Sequence, residues 1–300
     1  MQAAACRGAH LAIVYVSEGV NRAVVQYLTE VATRQEAVLA HSFTDATYNR
    51  TSFFFVGGAD YVVSSAATFA AAALARVNFE AHSGLHPSLG SVDHVCFSPL
   101  GDVSLSETTA AAADFVTAVH DTHPSLPIYG YGALAADGAL AADGMRLRDV
   151  RRRLGYFEST SPLEALSDAV PTFPPTLVGP AAVPAALGVM CVGAVPFVLN
   201  YNMRCRHGDT KLTVAKITAH VRSPEVEALT LAHADGVYEI ACNLLDWRRE
   251  SPVQVLATAR AKAAAVGAAI EADYCTGPCE DELLAMWSGP HRATRDATTR

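Results

Sequence analysis

Apolar residues in the first hundred positions recur with the two periods that distinguish strands from helices. Alternating or continuous apolar runs predict four strands, and apolar residues three and four positions apart predict two helices between them. The predicted strands cover residues 10–16, 37–43, 51–57 and 91–100, and the predicted helices cover residues 20–36 and 59–79. The resulting order, βαββαβ, is typical of a ferredoxin-like sheet that carries both helices on one face.

The same order of elements returns after residue 187. The predicted elements are a strand or strand pair at 188–203, a helix at 210–221, a hairpin turning at Asp235-Gly236, a helix at 252–267 and a strand at 268–274. Asp-Gly is a strong hairpin signal, and proline, here Pro252, is favoured in the first turn of a helix. We therefore expect an α/β fold of two tandem ferredoxin-like βαββαβ subdomains with a ligand cleft between them.

The region between the two predicted units is less regular. Ser104 and Glu107 predict a capping box ahead of a helix, and residues 126–132 predict a further strand. The small-residue repeat at 133–144 predicts a flexible surface insertion, and the proline-rich stretch at 160–184 has no clean period. We therefore expect an N-terminal subdomain over residues 1–178, a C-terminal subdomain over residues 179–287 and a disordered polar tail over residues 288–300.

Composition narrows the class of partner. The net charge of −8, with no Lys/Arg run longer than three residues, argues against nucleic acid as a partner. No apolar run is long enough to predict a membrane span, and the first ten residues lack the apolar core of a secretory signal. Seven scattered cysteines, including the close pair Cys275 and Cys279, are typical of reduced thiols inside a cell. We expect a cytoplasmic protein that acts on small molecules, with an organelle as the alternative location.

Three histidines within thirteen residues, His82, His86 and His94, are the strongest chemical signal in the chain. His82 and His86 are four residues apart, as zinc ligands on a helix are, but Gly84 and Pro87 disfavour a helix there. We therefore predict no metal site, and a zinc enzyme that uses both histidines and a cysteine is the alternative. His94 lies in a predicted strand and is expected to be a hydrogen-bonded core residue, a role that is also open to His82. His86 lies in a loop, where an imidazole suits proton transfer near neutral pH.

The stretch HSGLHPSLGSVDHVCF (82–97) resembles the H-x-G-x-H-P-x-x-G-x-x-D loop of the glutamate formiminotransferases. These enzymes form the N-terminal part of formiminotransferase-cyclodeaminase. Further resemblances follow in family order at VSEGVN (16–21), NRTSFFFVG (49–57), LPIYGYG (126–132), GPAAVPAALGVMCVGAVPFVLNYN (179–202) and ACNLLDW (241–247). LRDVRRRLGYFE (147–158) is most similar to stand-alone plant and algal formiminotransferase-like proteins. We therefore expect a stand-alone transferase without the helical cyclodeaminase segment.

The resemblance implies that the chain moves a formimino group from N-formimino-L-glutamate to N5 of tetrahydrofolate, its co-substrate. His86 is then the general base and acid. Asp45 is expected to orient a catalytic nitrogen, with a turn cap as the alternative. Asn49 and Arg50 are expected to meet the carboxylates of the donor, with a surface turn as the alternative.

Further parts of the site follow from the same resemblance. His82 and Gly84 are expected to line the substrate site. The expected folate-binding segment, for which an interdomain linker is the alternative, consists of Gly179, Pro180, Ala181, Ala182, Val183, Pro184, Ala185, Ala186, Leu187 and Gly188. Arg151 to Arg153 are expected to form a solvated helix face, with attraction of the glutamyl tail of folate as the alternative. Family membership also implies a homodimer and a role in histidine breakdown.

Three positions in the signature loop depart from the family pattern. The family enzymes commonly carry Lys, Glu and Arg at the positions of Ser83, Leu85 and Ser88. Loss of an arginine beside the catalytic histidine would remove a carboxylate contact that contributes roughly 1.5–3 kcal/mol. This departure leaves a second hypothesis open, in which the chain binds folate but is non-catalytic or uses another donor.

Overall fold

The computed structural model of the chain describes residues 8–135, 145–156 and 162–288. Its contacts divide the chain into two compact units. The first unit ends at Val195 and also includes the segment that begins at Glu280, and the second unit spans Pro196–Cys279.

The first unit contains a six-stranded sheet. Its strands are β1 (Ala9–Val16), β2 (Val38–Asp45), β3 (Arg50–Gly57), β4 (Val92–Leu100), β5 (Ile128–Gly132) and β6 (Met190–Ala194). They lie in the order β2-β3-β1-β4-β6-β5. The first four strands pair with one another in antiparallel fashion, as in a ferredoxin-like plait. Strand β6 pairs in parallel with both β4 and β5.

Three helices supply the main core of this unit, namely α1 (Arg22–Thr33), α2 (Ala59–Leu74) and α3 (Leu105–Thr122). Phe53 and Phe55 of β3 project together because side chains alternate along a strand, and both contact Phe69 of α2. Phe97 of β4 contacts Phe115 of α3 in the same way. The predicted capping box of Ser104 and Glu107 begins α3 and is confirmed.

Two short helices lie between β5 and β6 in the chain, α4 (Leu147–Arg153) and α5 (Pro162–Ala169). Their apolar residues, including Val150 and Leu166, join a second cluster with Tyr129 of β5 and Cys191 of β6. Hydrophobic periodicity did not predict α5, because this helix has only eight residues and lies in a proline-rich stretch that has no clean period. Placement of β6 inside the first sheet also moves the division between the units to Val195, later than the boundary expected at residue 178.

The second unit repeats the plait. Its elements are β7 (Leu199–Cys205), α6 (Lys211–Val221), β8 (Val226–Ala232), β9 (Tyr238–Leu244), α7 (Pro252–Ala265) and β10 (Ile270–Cys275). The strand order β10-β7-β9-β8 matches β4-β1-β3-β2 of the first unit. The predicted hairpin, with its turn at Ala234–Gly236, and the proline at the start of α7 are both confirmed. The α/β fold with two βαββαβ plaits is therefore confirmed.

A last helix, α8 (Glu280–Ser288), was not predicted and packs against β2 and β3 of the first unit. Most of the small-residue repeat, at 136–144, and nearly all of the expected tail, at 289–300, lie outside the described residues. Among the described helices, none is both long enough and apolar enough to cross a membrane.

Candidate active site

The turn between β2 and β3 gathers several predicted site residues. Asn49 has a positive φ of 49°, a left-handed conformation that asparagine tolerates better than most residues. Its side-chain oxygen accepts hydrogen bonds from the backbone N–H groups of Gly19 (2.8 Å) and Val20 (3.2 Å). Its amide nitrogen donates to the carbonyl of Ser83 (2.9 Å). Asn49 therefore ties the loop after β1 and the histidine loop to this turn.

Asp45 lies at the end of β2, where its carboxylate accepts a hydrogen bond from the backbone N–H of Tyr48 (2.9 Å). This is the turn-capping contact that was the alternative to a catalytic role. Gly84 lies close to the same turn, because a Cβ atom there would come 2.5 Å from the carbonyl oxygen of Tyr48. The histidine loop thus packs directly against the turn that carries Asp45 and Asn49.

His82 follows a short helical turn, Phe79–Ala81, and its Nδ1 lies 3.0 Å from the carbonyl oxygen of Ser17. Nδ2 of Asn49 also lies 3.3 Å from Nδ1, but the shorter contact is to a carbonyl that can only accept, so we assign the proton to Nδ1 and leave Nε2 as an acceptor. Nε2 is buried and has no hydrogen-bond partner among the described residues. Burial lowers the pKa of His82, although the Ser17 carbonyl acts in the opposite direction.

His86 is held in a similar tautomer. Its Nδ1 lies 2.7 Å from the carbonyl oxygen of Pro87 and 3.3 Å from the hydroxyl of Tyr156. The rings of Tyr48 and Tyr156 both meet the imidazole edge-on. Burial among these rings, followed by the positive charges of Arg50 and Arg151, lowers the pKa of His86 to about 3. The imidazole is therefore neutral at physiological pH, with its lone pair on Nε2.

A buried ionic cluster lies at the start of β4. Asp93 is fully buried, and its Oδ2 contacts Nη2 of Arg50 (2.8 Å) and Nη2 of Arg151 (2.6 Å). Its Oδ1 accepts the backbone N–H of Leu89 (2.8 Å), which fixes the end of the histidine loop. Burial alone would raise the pKa of Asp93, but the two guanidinium groups outweigh it and hold the pKa well below its usual value.

His94 lies beside this cluster and is buried, as predicted. Its Nδ1 is 3.1 Å from Nη2 of both Arg50 and Arg151, and its ring stacks on Tyr15 at a centroid distance of 4.0 Å. Burial lowers the pKa of His94 to about 3, although hydrogen bonding to Asp93 acts in the opposite direction. The cluster therefore holds a neutral imidazole between two cations.

Arg151 does not lie on a solvated helix face, in contrast to the expectation. Its side chain is only 15% exposed and packs over the ring of Tyr156 at 4.5 Å, whereas that of Arg152 is 69% exposed. The two arginines differ because α4 packs against β5 and buries Val150, and Arg151 turns inward to Asp93 whereas Arg152 turns to solvent. Asp93 was not among the predicted site residues, and Arg151 was expected on the solvated face, with attraction of the folate tail as the alternative. Asp93 had one signal, since it occupies the final position of the H-x-G-x-H-P-x-x-G-x-x-D loop.

The expected folate-binding segment is joined to the histidine loop at one end. Gly188 forms an antiparallel bridge with Gly90, and the backbone N–H of Ser91 donates to the carbonyl of Leu187 (2.8 Å). A side chain at either of these glycines would collide with the opposite backbone. The residues before this contact, from Pro180 to Ala186, are exposed or half-buried and lie in the first unit.

Comparison with known proteins identifies the family. Residues 9–195 match the family described as formiminotransferase domain, N-terminal subdomain. The chain belongs to the formiminotransferase family. It is 30% identical over 248 residues to a formiminotransferase cyclodeaminase-like protein of Arabidopsis thaliana, an alignment that covers 78% of this chain and 80% of that protein.

Other formiminotransferase relatives differ in how much of their length is matched. The glutamate formimidoyltransferase of Thermoplasma acidophilum is 24% identical over 81% of this chain and 75% of its own length. The formimidoyltransferase-cyclodeaminase of Sus scrofa is 29% identical over 62% of this chain, but the match spans only 32% of that longer protein.

The three departures from the formiminotransferase loop have different environments. Ser88 is buried, and its hydroxyl oxygen accepts a hydrogen bond from the hydroxyl of Ser17 (2.9 Å). Ser83 is exposed, and Leu85 is 52% exposed. Among the described residues, no group of three or more His, Cys, Asp and Glu side chains is placed to hold a metal ion. The two buried arginines near the histidine loop, Arg50 and Arg151, therefore come from β3 and α4 and not from the loop itself.

Proposed function

We propose that the chain catalyses transfer of a formimino group from N-formimino-L-glutamate to N5 of tetrahydrofolate, with His86 as the general base and acid. The family relationship supports formimino transfer. The observation that carries the role of His86 is its short contact to Pro87, because a carbonyl acceptor at Nδ1 leaves the basic lone pair on Nε2.

In this proposal His86 moves one proton twice. The attacking amine forms a bond to the formimino carbon and loses a proton, which His86 accepts at Nε2. As the bond from that carbon to the glutamate nitrogen breaks, the imidazolium returns the proton to the departing nitrogen. The lowered pKa makes the imidazolium a stronger acid for the second step and the neutral imidazole a weaker base for the first. The nearby hydroxyl of Tyr156, with its pKa raised by burial to about 12, keeps its own proton.

The other predicted residues take more specific proposed roles. Arg50 remains the proposed contact for a donor carboxylate, because its Nη1 is buried and has no partner among the described residues. His82 offers its unpartnered Nε2 to an N–H group of the substrate. Asn49 uses both ends of its amide within the protein, so we assign it to positioning the loops, together with Asp45 and Gly84.

The residues at 179–188 fit an extended co-substrate in one respect. Apart from Val183, their side chains up to Ala186 are small or cyclic, and these residues are exposed or half-buried beside the histidine loop. We propose that this segment binds tetrahydrofolate through backbone groups, and that the folate supplies the acceptor nitrogen when it is bound. The family resemblance supports three further parts of the proposal, namely a homodimer, a cytoplasmic location and a place in histidine breakdown.

A second candidate function rests on Ser83, Leu85 and Ser88. The family's charged residues are absent at these positions, so the chain is alternatively a folate-binding protein that is non-catalytic or accepts a different donor. His86 argues for catalysis, because binding alone gives no reason for a neutral imidazole with a free Nε2.

The test is turnover of the purified protein with tetrahydrofolate and N-formimino-L-glutamate, beside the variants His86→Ala and His220→Ala. We expect wild-type turnover and a loss of roughly 10²–10⁴-fold in His86→Ala, because that is the usual contribution of general acid–base catalysis. His220 is exposed on α6, so its replacement serves as the control and should leave turnover unchanged. Folate binding without wild-type turnover would favour the second candidate, and loss of both activities would reject both.

A further inference from the structure

The buried cluster around Asp93 carries an excess positive charge. Arg50 and Arg151 share the single carboxylate of Asp93, and His94 is neutral because burial lowers its pKa. The charges of these four groups therefore sum to +1. Isolated buried charge is costly, and proteins usually pair it with an opposite charge.

Two of the buried arginine nitrogens also lack acceptors. Nη1 of Arg50 and Nε of Arg151 are both buried and have no hydrogen-bond partner among the described residues. A buried donor without an acceptor is unfavourable, so each of these atoms is suited to an acceptor that a ligand brings.

Both guanidinium groups are held in place before any ligand arrives. Arg50 lies over the ring of Tyr15 at 4.7 Å, and Arg151 lies over the ring of Tyr156 at 4.5 Å. Each Nη2 is in turn fixed by Asp93. Cation–π contact and a shared counter-ion restrict the rotation of both side chains, which lowers the entropic cost of binding.

We propose that Arg50 and Arg151 together bind one carboxylate group of the formimino donor, and that Asp93 is the positioning residue that holds them. This inference rests on the proposed function and deepens it, because Arg151 supplies donor recognition from α4 that the signature loop no longer provides. A planar carboxylate matches the donor geometry of guanidinium, and its single negative charge matches the excess of +1 better than a phosphate does.

The environment of Ser88 agrees with donor recognition by an arginine of α4 in place of an arginine in the loop. An arginine at residue 88, as in the family pattern, would start from a buried site in contact with Ser17. The guanidinium of Arg151 instead reaches Asp93 from α4 and lies over the ring of Tyr156, whose hydroxyl is 3.3 Å from Nδ1 of His86. The proposed carboxylate site is therefore near the proposed proton carrier.

The experiment measures binding in the absence of turnover. The probe is N-formyl-L-glutamate, in which an oxygen replaces the transferable imino nitrogen, and binding to the wild-type protein is followed by titration calorimetry. N-formyl-L-glutamine and N-formyl-L-isoglutamine, each with one carboxylate converted to a neutral amide, are the matched ligands. We expect one of the two amides to bind roughly 10–100-fold more weakly, as loss of a charge-assisted contact predicts. Equal affinity for all three ligands, or no binding of the dicarboxylate, would overturn the proposal.

Variants assign the contact to Arg151. Arg151→Gln should lose the preference for the dicarboxylate, Arg151→Lys should keep part of it, and the exposed Arg152→Gln is the matched control that should keep all of it. If Arg151→Gln does not fold, Arg151→Lys and the wild-type ligand series still decide the question. Tetrahydrofolate affinity should be unchanged in every folded variant. An unchanged preference in Arg151→Gln, or an equal loss in Arg152→Gln, would contradict the assignment.

An NMR titration of His86 separates a local charge from a structural effect. Binding of the dicarboxylate should raise the pKa of His86, because the bound carboxylate offsets the arginine charges that lower it. No change in that pKa on saturation would reject the site. The failure of this proposal is distinguishable from failure of the proposed function: transfer with a normal donor KM in Arg151→Gln rejects only the carboxylate site, whereas Arg151-dependent binding without transfer rejects only the catalysis.

Discussion

Nη2 of Arg151 on α4 lies 2.6 Å from Oδ2 of Asp93 on β4, 58 residues earlier in the sequence. The Asp93 carboxylate, which Arg50 also contacts, is fully buried. This ion pair joins the helix after β5 to the strand that follows the histidine loop. The ion pair therefore couples the packing of α4 to the position of His86. Tyr156, three residues after the end of α4, has its hydroxyl 3.3 Å from Nδ1 of His86.

Replacing Asp93 with Asn should destabilise the protein by about 3–5 kcal/mol, the usual cost of breaking a buried ion pair by removing one partner. The physical reason is that Arg50 and Arg151 would then face each other without a counter-ion. Urea unfolding measures the change in free energy. Asp149→Asn is the control, because Asp149 is partly exposed in weak ion pairs and should change stability by less than about 0.5 kcal/mol. Equal effects of the two substitutions would contradict this account of the cluster.

The contribution of Asn49 to stability can be separated into a side-chain part and a backbone part. Both Asn49→Ala and Asn49→Gly remove the hydrogen bonds to Gly19, Val20 and Ser83, but only alanine is strained at the positive φ. Alanine should therefore be less stable than glycine by about 1–2 kcal/mol. In both variants the amide of Gly19 should exchange hydrogen faster than in the wild type, whereas the amide of Val20 keeps the carboxylate of Glu18 as an acceptor at 2.9 Å. A wild-type exchange rate at Gly19 would show that Asn49 does not hold the loops together.

His94 should make stability depend on pH. Its pKa is near 3 in the folded state and near 6.5 in the unfolded chain, so the unfolded state binds more protons between these values. Stability should therefore fall as the pH decreases from about 6.5, and His94 alone contributes roughly 2 kcal/mol of this loss by pH 5. The neighbouring carboxylate of Asp93 does not account for this loss, because the two guanidinium groups hold its pKa well below the usual value.

Urea unfolding at pH 7.5 and pH 5 tests this prediction in the wild type and in His94→Gln. The variant should lose less stability on acidification, and His220→Gln should behave like the wild type. Some loss should remain in His94→Gln, because the pKa values of His10, His82 and His86 are lowered as well. Identical pH dependence in His94→Gln and the wild type would show that His94 does not contribute.

Gly193 should resist substitution because of Tyr131. A Cβ atom at Gly193 would overlap the ring of Tyr131, which lies flat against β6 and is only 3% exposed. Gly193→Ala should therefore cost about 1–3 kcal/mol, the range seen when well-packed cores are overfilled. Gly58→Ala is the matched control, since a Cβ there meets only Tyr61 at 3.9 Å and φ is −64°. Thermal unfolding that ranks the two variants in the opposite order would contradict this packing argument.

Much of the candidate site could be predicted because it lies in short segments with strong local signals. His82, His86, Asn49 and Arg50 all come from two stretches that resemble family motifs, and the structure brings those stretches into contact. Asp45 shows the limit of this approach, because an aspartate before a turn has the same local pattern whether it caps the turn or serves a reaction. The contact to the N–H of Tyr48 shows that the cap is present, and a role of Asp45 in the reaction stays a prediction.

The sequence by itself determined the repeated βαββαβ order and the elements that form it, though not α5 or α8, because periodicity and caps depend on residues that are close together in the chain. The tertiary structure decided which neighbours those elements acquire. It inserted β6 between β4 and β5, returned α8 to the first unit, and buried Arg151 while leaving Arg152 in solvent. Two adjacent arginines look alike in a sequence, and they differ here because burial of a charge depends on a counter-ion 58 residues away.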